Sequence, residues 1–182
     1  MNILGISRVP SRSIFWSKLL GTSLFAVLLC FSSLIKIPLP FTPVPITLQN
    51  LVVFLAGAML GPSCGMASVA VYIALGISGI PLFANTGFGL AYLFGPTGGY
   101  LLGFLAAAGL IGYLTEKTKT KNILILYAVM LFGMAVVYGA GGCWLKIGYG
   151  WSFKEIFFLG VSPFLLPDMM KAFVAAVMIS KR

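Results

Sequence analysis

The chain has 182 residues, of which 60% are hydrophobic and only 8% charged, and its mean hydropathy is +1.07. That composition excludes a soluble globular domain and leaves no hydrophilic block able to fold as a second, water-soluble domain or to hydrolyse a nucleotide. The formal charge of +9 is spread along the edges of apolar segments instead of forming a nucleic-acid footprint, and there is no histidine to act as base, proton relay or metal ligand.

In chain order, residues 1–13 carry Arg8 and Arg12 around Pro10 and read as a cytoplasmic lead-in, with residues 14–182 as one six-helix transmembrane domain. The first helix is expected from Ile14 to Ile35. A signal peptide is the alternative, but no clear small-residue cleavage site follows and further spans do. Thr22, Ala26 and Cys30 recur every four residues, a small-xxx-small stripe on which a partner protein or another helix of this chain could dock. Neither Cys30, Cys64 nor Cys143 has a paired spacing, so no disulfide framework or metal site is indicated, and no cofactor is expected.

The run from Pro38 to Pro45 is too proline-rich for a helix and is expected to be an extended, semi-rigid loop. Ile46 to Leu60 and Ser63 to Ser78 then read as a second and a third helix, both short for a bilayer, separated at Gly61-Pro62. Ala70, Ala74 and Ser78 form the small stripe of the third. Gly79 to Gly95 is glycine-rich, aromatic and uncharged; irregular backbone at membrane depth is tolerated where it is buried in protein or lines a cavity, so this loop is expected to close a pocket. The fourth helix is expected from Pro96 to about Glu116, with Gly99, Gly103 and Ala107 as its packing face, and the fifth from Asn122 to about Leu145. Lys146 to about Gly160 reads as an interfacial connection before a sixth helix, from about Pro163 to Ile179. The fold class is therefore all-α integral membrane, with irregular extracytoplasmic loops.

The positive-inside rule sets the orientation. Arg8, Arg12, Lys18, Lys117, Lys119, Lys121, Lys181 and Arg182 fall on one side of a six-span topology and only Lys36, Lys146 and Lys154 on the other, so both termini are expected in the cytoplasm and the proline-rich and glycine-rich loops outside. The starts of helices two, four and six then meet at the outer face, each with polar residues: Thr47 and Gln49, Thr97 and Tyr100, Asp168 and Lys171. Asp168 and Lys171 lie three residues apart on one helical face, and intramembrane charge usually faces a cavity or a partner. They could hold a polar small molecule or simply satisfy one another, and with Pro167 at the first helical position Asp168 could also be a cap. The helix start at Gly95-Pro96-Thr97-Gly98-Gly99 could receive a ligand carboxylate, its glycines allowing close approach to the backbone, or could serve only the turn and helix packing; it is not a Walker loop, because the Gly-Lys-Ser/Thr ending is absent.

Pro40 to Gln49 (Pro-Phe-Thr-Pro-Val-Pro-Ile-Thr-Leu-Gln), the turn Gly95-Pro96-Thr97-Gly98-Gly99-Tyr100 and the Asp168-x-x-Lys171 pair, in this order, resemble the BioY family over about Ile14 to Ile179. The resemblance implies the fold of a substrate-binding S component of an energy-coupling factor (ECF) transporter, which takes up biotin across the cell membrane together with a transmembrane coupling protein and two ATPases. It also implies that Asp168, Lys171 and Asn85 contact the ureido ring. Gln49, Thr47, Thr97 and Tyr100 are then candidates for further polar contacts, and Phe83 and Tyr92 for the apolar wall. Two departures affect affinity or ligand range: Leu166-Pro167 precedes the acid where the family often has Pro-Gly, and the loop around Asn85 has fewer glycines than usual. A stand-alone or ion-coupled vitamin carrier and an S component for another vitamin are the alternatives. A membrane enzyme fares poorly, because Glu116, Glu155 and Asp168 are separated in the topology and no paired carboxylates form.

Overall fold

The computed structural model describes residues 12–182; Arg8, Pro10 and the rest of the expected lead-in before Arg12 lie outside the described residues. Among the described residues, five helical stretches are long and apolar enough to cross a membrane: Arg12–Leu34 (α1), Gln49–Ile77 (α2), Gly98–Thr118 (α4), Ile123–Tyr149 (α5) and the run Phe153–Ser180. The last comprises a single turn Phe153–Glu155 (α6), a π-helical segment Ile156–Val161 and Ser162–Ser180 (α7). A short helix Gly89–Leu93 (α3) lies between α2 and α4, and two tiny strands, Lys36–Ile37 (β1) and Ile46–Thr47 (β2), pair antiparallel with Lys36 opposite Thr47.

The α2 stretch is broken at Gly61, whose φ of 79° and ψ of 178° are not helical, and Pro62 follows at a position suited to starting a new helical arm. The chain reverses there. Gln49 Nε2 donates to the Tyr72 hydroxyl at 2.7 Å across 23 residues, which a straight helix would hold about 35 Å apart. Gly65 also lies so close to the first arm that a Cβ on it would stand 2.9 Å from Gly57 Cα. Glycine is required at three points of this packing: a side chain on Gly57 would strike the Ala108 carbonyl, one on Gly61 the Glu116 carboxylate, and one on Gly112 the backbone of Gly61 and Pro62.

The buried face of the second arm is Gly65, Ser68, Val69, Tyr72 and Gly76, spaced at three and four residues as one helical stripe requires. Ala70, Ala74 and Ser78, expected to be its packing stripe, are exposed, so small size there does not mark the contact. The expectation holds for α4: Gly103 meets Val137 and Ala140 of α5, and Gly99 meets Trp144 and Ala140. In α1, Ala26 and Leu29 are buried while Leu20, Leu24 and Phe31 face outward.

Three boundaries differ from the sequence reading. The proline-rich loop doubles back instead of running extended: its ends pair as β1 and β2, and Thr42 Oγ1 accepts the Val44 N–H at 3.3 Å. Helix α5 continues to Tyr149, stopped by left-handed Gly150 at φ 68°, and a capping box of Ser152 with Glu155 starts the next helical run at once, so the expected connection is mostly helical. The first-turn proline of α7 is Pro163, and Pro167 lies inside the helix. Asp168 is therefore an interior residue, and capping does not account for it.

Candidate functional site

Asp168 is 2% exposed and is held from three directions. Its Oδ1 pairs with Lys171 Nζ at 2.6 Å, one turn along α7. Its Oδ2 accepts from the Tyr138 hydroxyl of α5 at 2.9 Å and from Asn50 Nδ2 at the start of α2. Lys171 Nζ also donates to the Thr47 carbonyl at 2.6 Å, tying α7 to β2. A carboxylate with roughly four acceptor sites thus uses three inside the protein and keeps about one in reserve.

Asp168, Asn50, Tyr138 and Thr47, but not Lys171, line one wall of a cavity of about 530 Å³, open solvent at its mouth included. Val44 and Pro45 of the proline-rich loop, Ala84 and Tyr92 of the glycine-rich loop, Thr47, Gln49 and Asn50, Thr97, Tyr100, Leu101 and Phe104 of α4, Val137 and Tyr138 of α5, and Phe164 with Asp168 of α7 enclose it. An apolar space with a few convergent polar groups is the usual form of a small-molecule site.

The loop over the cavity is anchored from below. Ser33 of α1 donates to the Leu82 carbonyl at 2.5 Å and the Tyr72 hydroxyl donates to the same oxygen at 3.4 Å. The next residue, Phe83, is fully buried, stacks on Tyr92 with ring centroids 4.8 Å apart, and meets Tyr72 edge-on. Its ring fills the space that a side chain on Gly76 would take. Asn85 at φ 61° and Thr86 at φ 57° turn the loop tip in the left-handed region, which asparagine tolerates and a β-branched threonine does not. Burial raises the Tyr92 phenol above its ordinary value, with hydrogen bonding to Thr97 pulling the other way, so the hydroxyl stays neutral near pH 7.

Six of the nine ligand-contact residues expected from sequence, namely Thr47, Gln49, Tyr92, Thr97, Tyr100 and Asp168, line this cavity. Lys171 stands behind Asp168, Phe83 stands behind Tyr92, and Asn85 is exposed at the loop tip. Tyr100 and Gln49 are, like Asn50 and Tyr138, already engaged: Tyr100 donates to the Gly160 carbonyl of the π-helical segment at 2.8 Å, and the Gln49 amide nitrogen to Tyr72. Gly98 and Gly99 pack closely, against the Leu93 carbonyl and Trp144. Of the expected docking stripe on α1, Ala26 is buried within the chain and Thr22 and Cys30 are half-buried. Asn50 and Tyr138 were missed by the sequence reading. The available signal was a polar side chain in an apolar span, but an asparagine at a helix start and a tyrosine in a membrane helix are both ordinary.

The fold defines a multi-pass membrane protein that encloses a cavity of mixed apolar and polar lining, and among the described residues no cluster of metal-ligating side chains accompanies it. Residues 8–182 match the BioY family, and the chain belongs to that family. It is 40% identical to the probable biotin transporter BioY of Pyrococcus horikoshii over 161 residues, covering 88% of this chain and 93% of that protein. It is 38% identical to the biotin transporter BioY of Thermotoga maritima over 160 residues, covering 88% and 92%. Among solved structures, the crystal structure of the S-component for biotin from an ECF-type ABC transporter matches with a TM-score of 0.86 and 30% identity, covering 94% of this chain and 93% of that one.

Proposed function

We propose that the chain is the biotin-binding S component of an ECF-type transporter, a transport protein and not an enzyme, which binds biotin near the extracytoplasmic face of the cell membrane. The observation that carries this reading is the cavity with Asp168 braced by Lys171, Asn50 and Tyr138 on one wall, in a chain that matches biotin transporters over nearly its whole length. Biotin's ureido ring has two N–H donors and one carbonyl acceptor, and its tail ends in a carboxylate. The free acceptor capacity of Asp168 suits one N–H, and the third Lys171 proton and the Asn85 amide suit the ureido carbonyl once the loop tip folds inward. Thr47, Gln49, Thr97 and Tyr100 supply further polar contacts, including to the carboxylate, with Tyr92 and Phe83 forming the aromatic wall.

The two arms of α2, counted separately because the chain reverses at Gly61, give six spans and return both termini to the cytoplasmic side, in keeping with the lysine and arginine distribution. A transmembrane coupling protein and two ATPases complete the transporter; the Thr22, Ala26 and Cys30 stripe of α1 faces the chain's own interior and is not the docking surface. Uptake of labelled biotin in a biotin-auxotrophic host tests the whole reading. Accumulation is expected when this chain is expressed with a coupling protein and ATPases. Equal accumulation in a host without them would favour the stand-alone carrier, and none in either host would sink the proposal.

A further inference from the structure

Asn50 is the second residue of α2, is 8% exposed, and lines the cavity. Its side-chain nitrogen donates to Asp168 Oδ2, an oxygen that also takes the Tyr138 hydroxyl. An ionised carboxylate only accepts, so the amide orientation is fixed: nitrogen toward Asp168, oxygen away from it. That oxygen, Oδ1, is closed off from water and has no hydrogen-bond partner among the described residues. A buried acceptor left bare costs about as much as breaking a hydrogen bond, and a bound donor removes that cost. The adjacent amide differs, since Gln49 spends its nitrogen on Tyr72.

We propose that Asn50 Oδ1 accepts a hydrogen bond from one ureido N–H of the ligand and is a specificity-determining residue of the site. Asp168 and Asn50 then form a joined pair of acceptors, one for each N–H of a cyclic urea, with Asp168 also setting the direction in which Asn50 points. Such a pair favours ring systems with two N–H groups and rejects those in which one is alkylated or replaced by an oxygen or sulfur atom. This inference rests on the biotin reading above.

The test titrates the purified full chain with biotin and with its two ureido N-methyl derivatives, comparing wild type with Asn50→Ala, and with Asn50→Ser if the alanine variant is not monodisperse. Wild type is expected to lose about tenfold or more in affinity for each derivative. In Asn50→Ala, biotin binding should fall about tenfold, while the loss on methylation should shrink to about threefold or less for one nitrogen only, the one that faced residue 50. A folded Asn50 variant in which both methylation losses match wild type would overturn the assignment while leaving biotin binding intact. Failure of wild type to bind biotin at all would overturn the transporter reading and this inference together.

Discussion

Replacing Asp168 with asparagine removes the negative charge around which Lys171, Asn50 and Tyr138 are arranged, with little change in shape. The variant amide can still accept from Asn50 and Tyr138, but its other end presents either a donor or a neutral oxygen to the Lys171 ammonium. Lys171 has a side chain only 13% exposed and would keep just the Thr47 carbonyl as a partner. Removing one member of a buried pair costs roughly 3–5 kcal/mol, because the other charge stays buried and uncompensated. The retained Thr47 contact argues for the lower end, about 3 kcal/mol. Lys171→Met should cost less, since two neutral donors still solvate the carboxylate, and the double variant should be more stable than the sum of the single losses by about 1–3 kcal/mol. Thermal unfolding of the three variants in detergent, referenced to wild type, measures this coupling. Losses that add to within about 0.5 kcal/mol would refute the claim that the two charges act as one unit.

Three further outcomes follow from the geometry. Gly65→Val should destabilise the protein by about 1–3 kcal/mol, because the side chain must enter the contact with Gly57 that joins the two arms of α2, whereas Ala70→Val, on an exposed face, should be near neutral in the same thermal assay. Phe83→Ala should cost roughly 3–5 kcal/mol and also weaken ligand binding, because it empties the space between Tyr72, Tyr92 and Gly76 and loosens the loop above the cavity. In a background without Cys30, Cys64 and Cys143, a membrane-impermeant maleimide applied to intact cells should label Asn85→Cys and spare Lys119→Cys. The reverse pattern would invert the proposed topology.

Much of this architecture was legible from residue patterns because the bilayer imposes strong rules. Apolar runs marked the spans, Gly61-Pro62 marked the reversal, and the Asp168–Lys171 spacing marked an ion pair that the structure contains. The failures have a common physical source, which is that small and polar residues each have several uses. Ala70, Ala74 and Ser78 have the spacing of a helix contact yet face outward, while the contact is made by Gly65 and Gly76 with the large Tyr72 between them. Gly98 and Gly99 have a packing use, against Leu93 and Trp144, that their sequence does not reveal. Pro167 imitated a helix start that belongs to Pro163. The cavity wall needed three-dimensional information most of all. Asn50 and Tyr138 come from different helices and acquire a role only when folding brings both to one oxygen of Asp168.

The central claim is that this cavity is built for biotin. Isothermal titration of the purified chain with biotin, thiamine and riboflavin tests it directly. Saturable one-to-one binding of biotin alone is the expected result, with strong weakening in Asp168→Asn. Undetectable biotin binding by folded wild-type protein, or equally tight binding of thiamine or riboflavin, would contradict it.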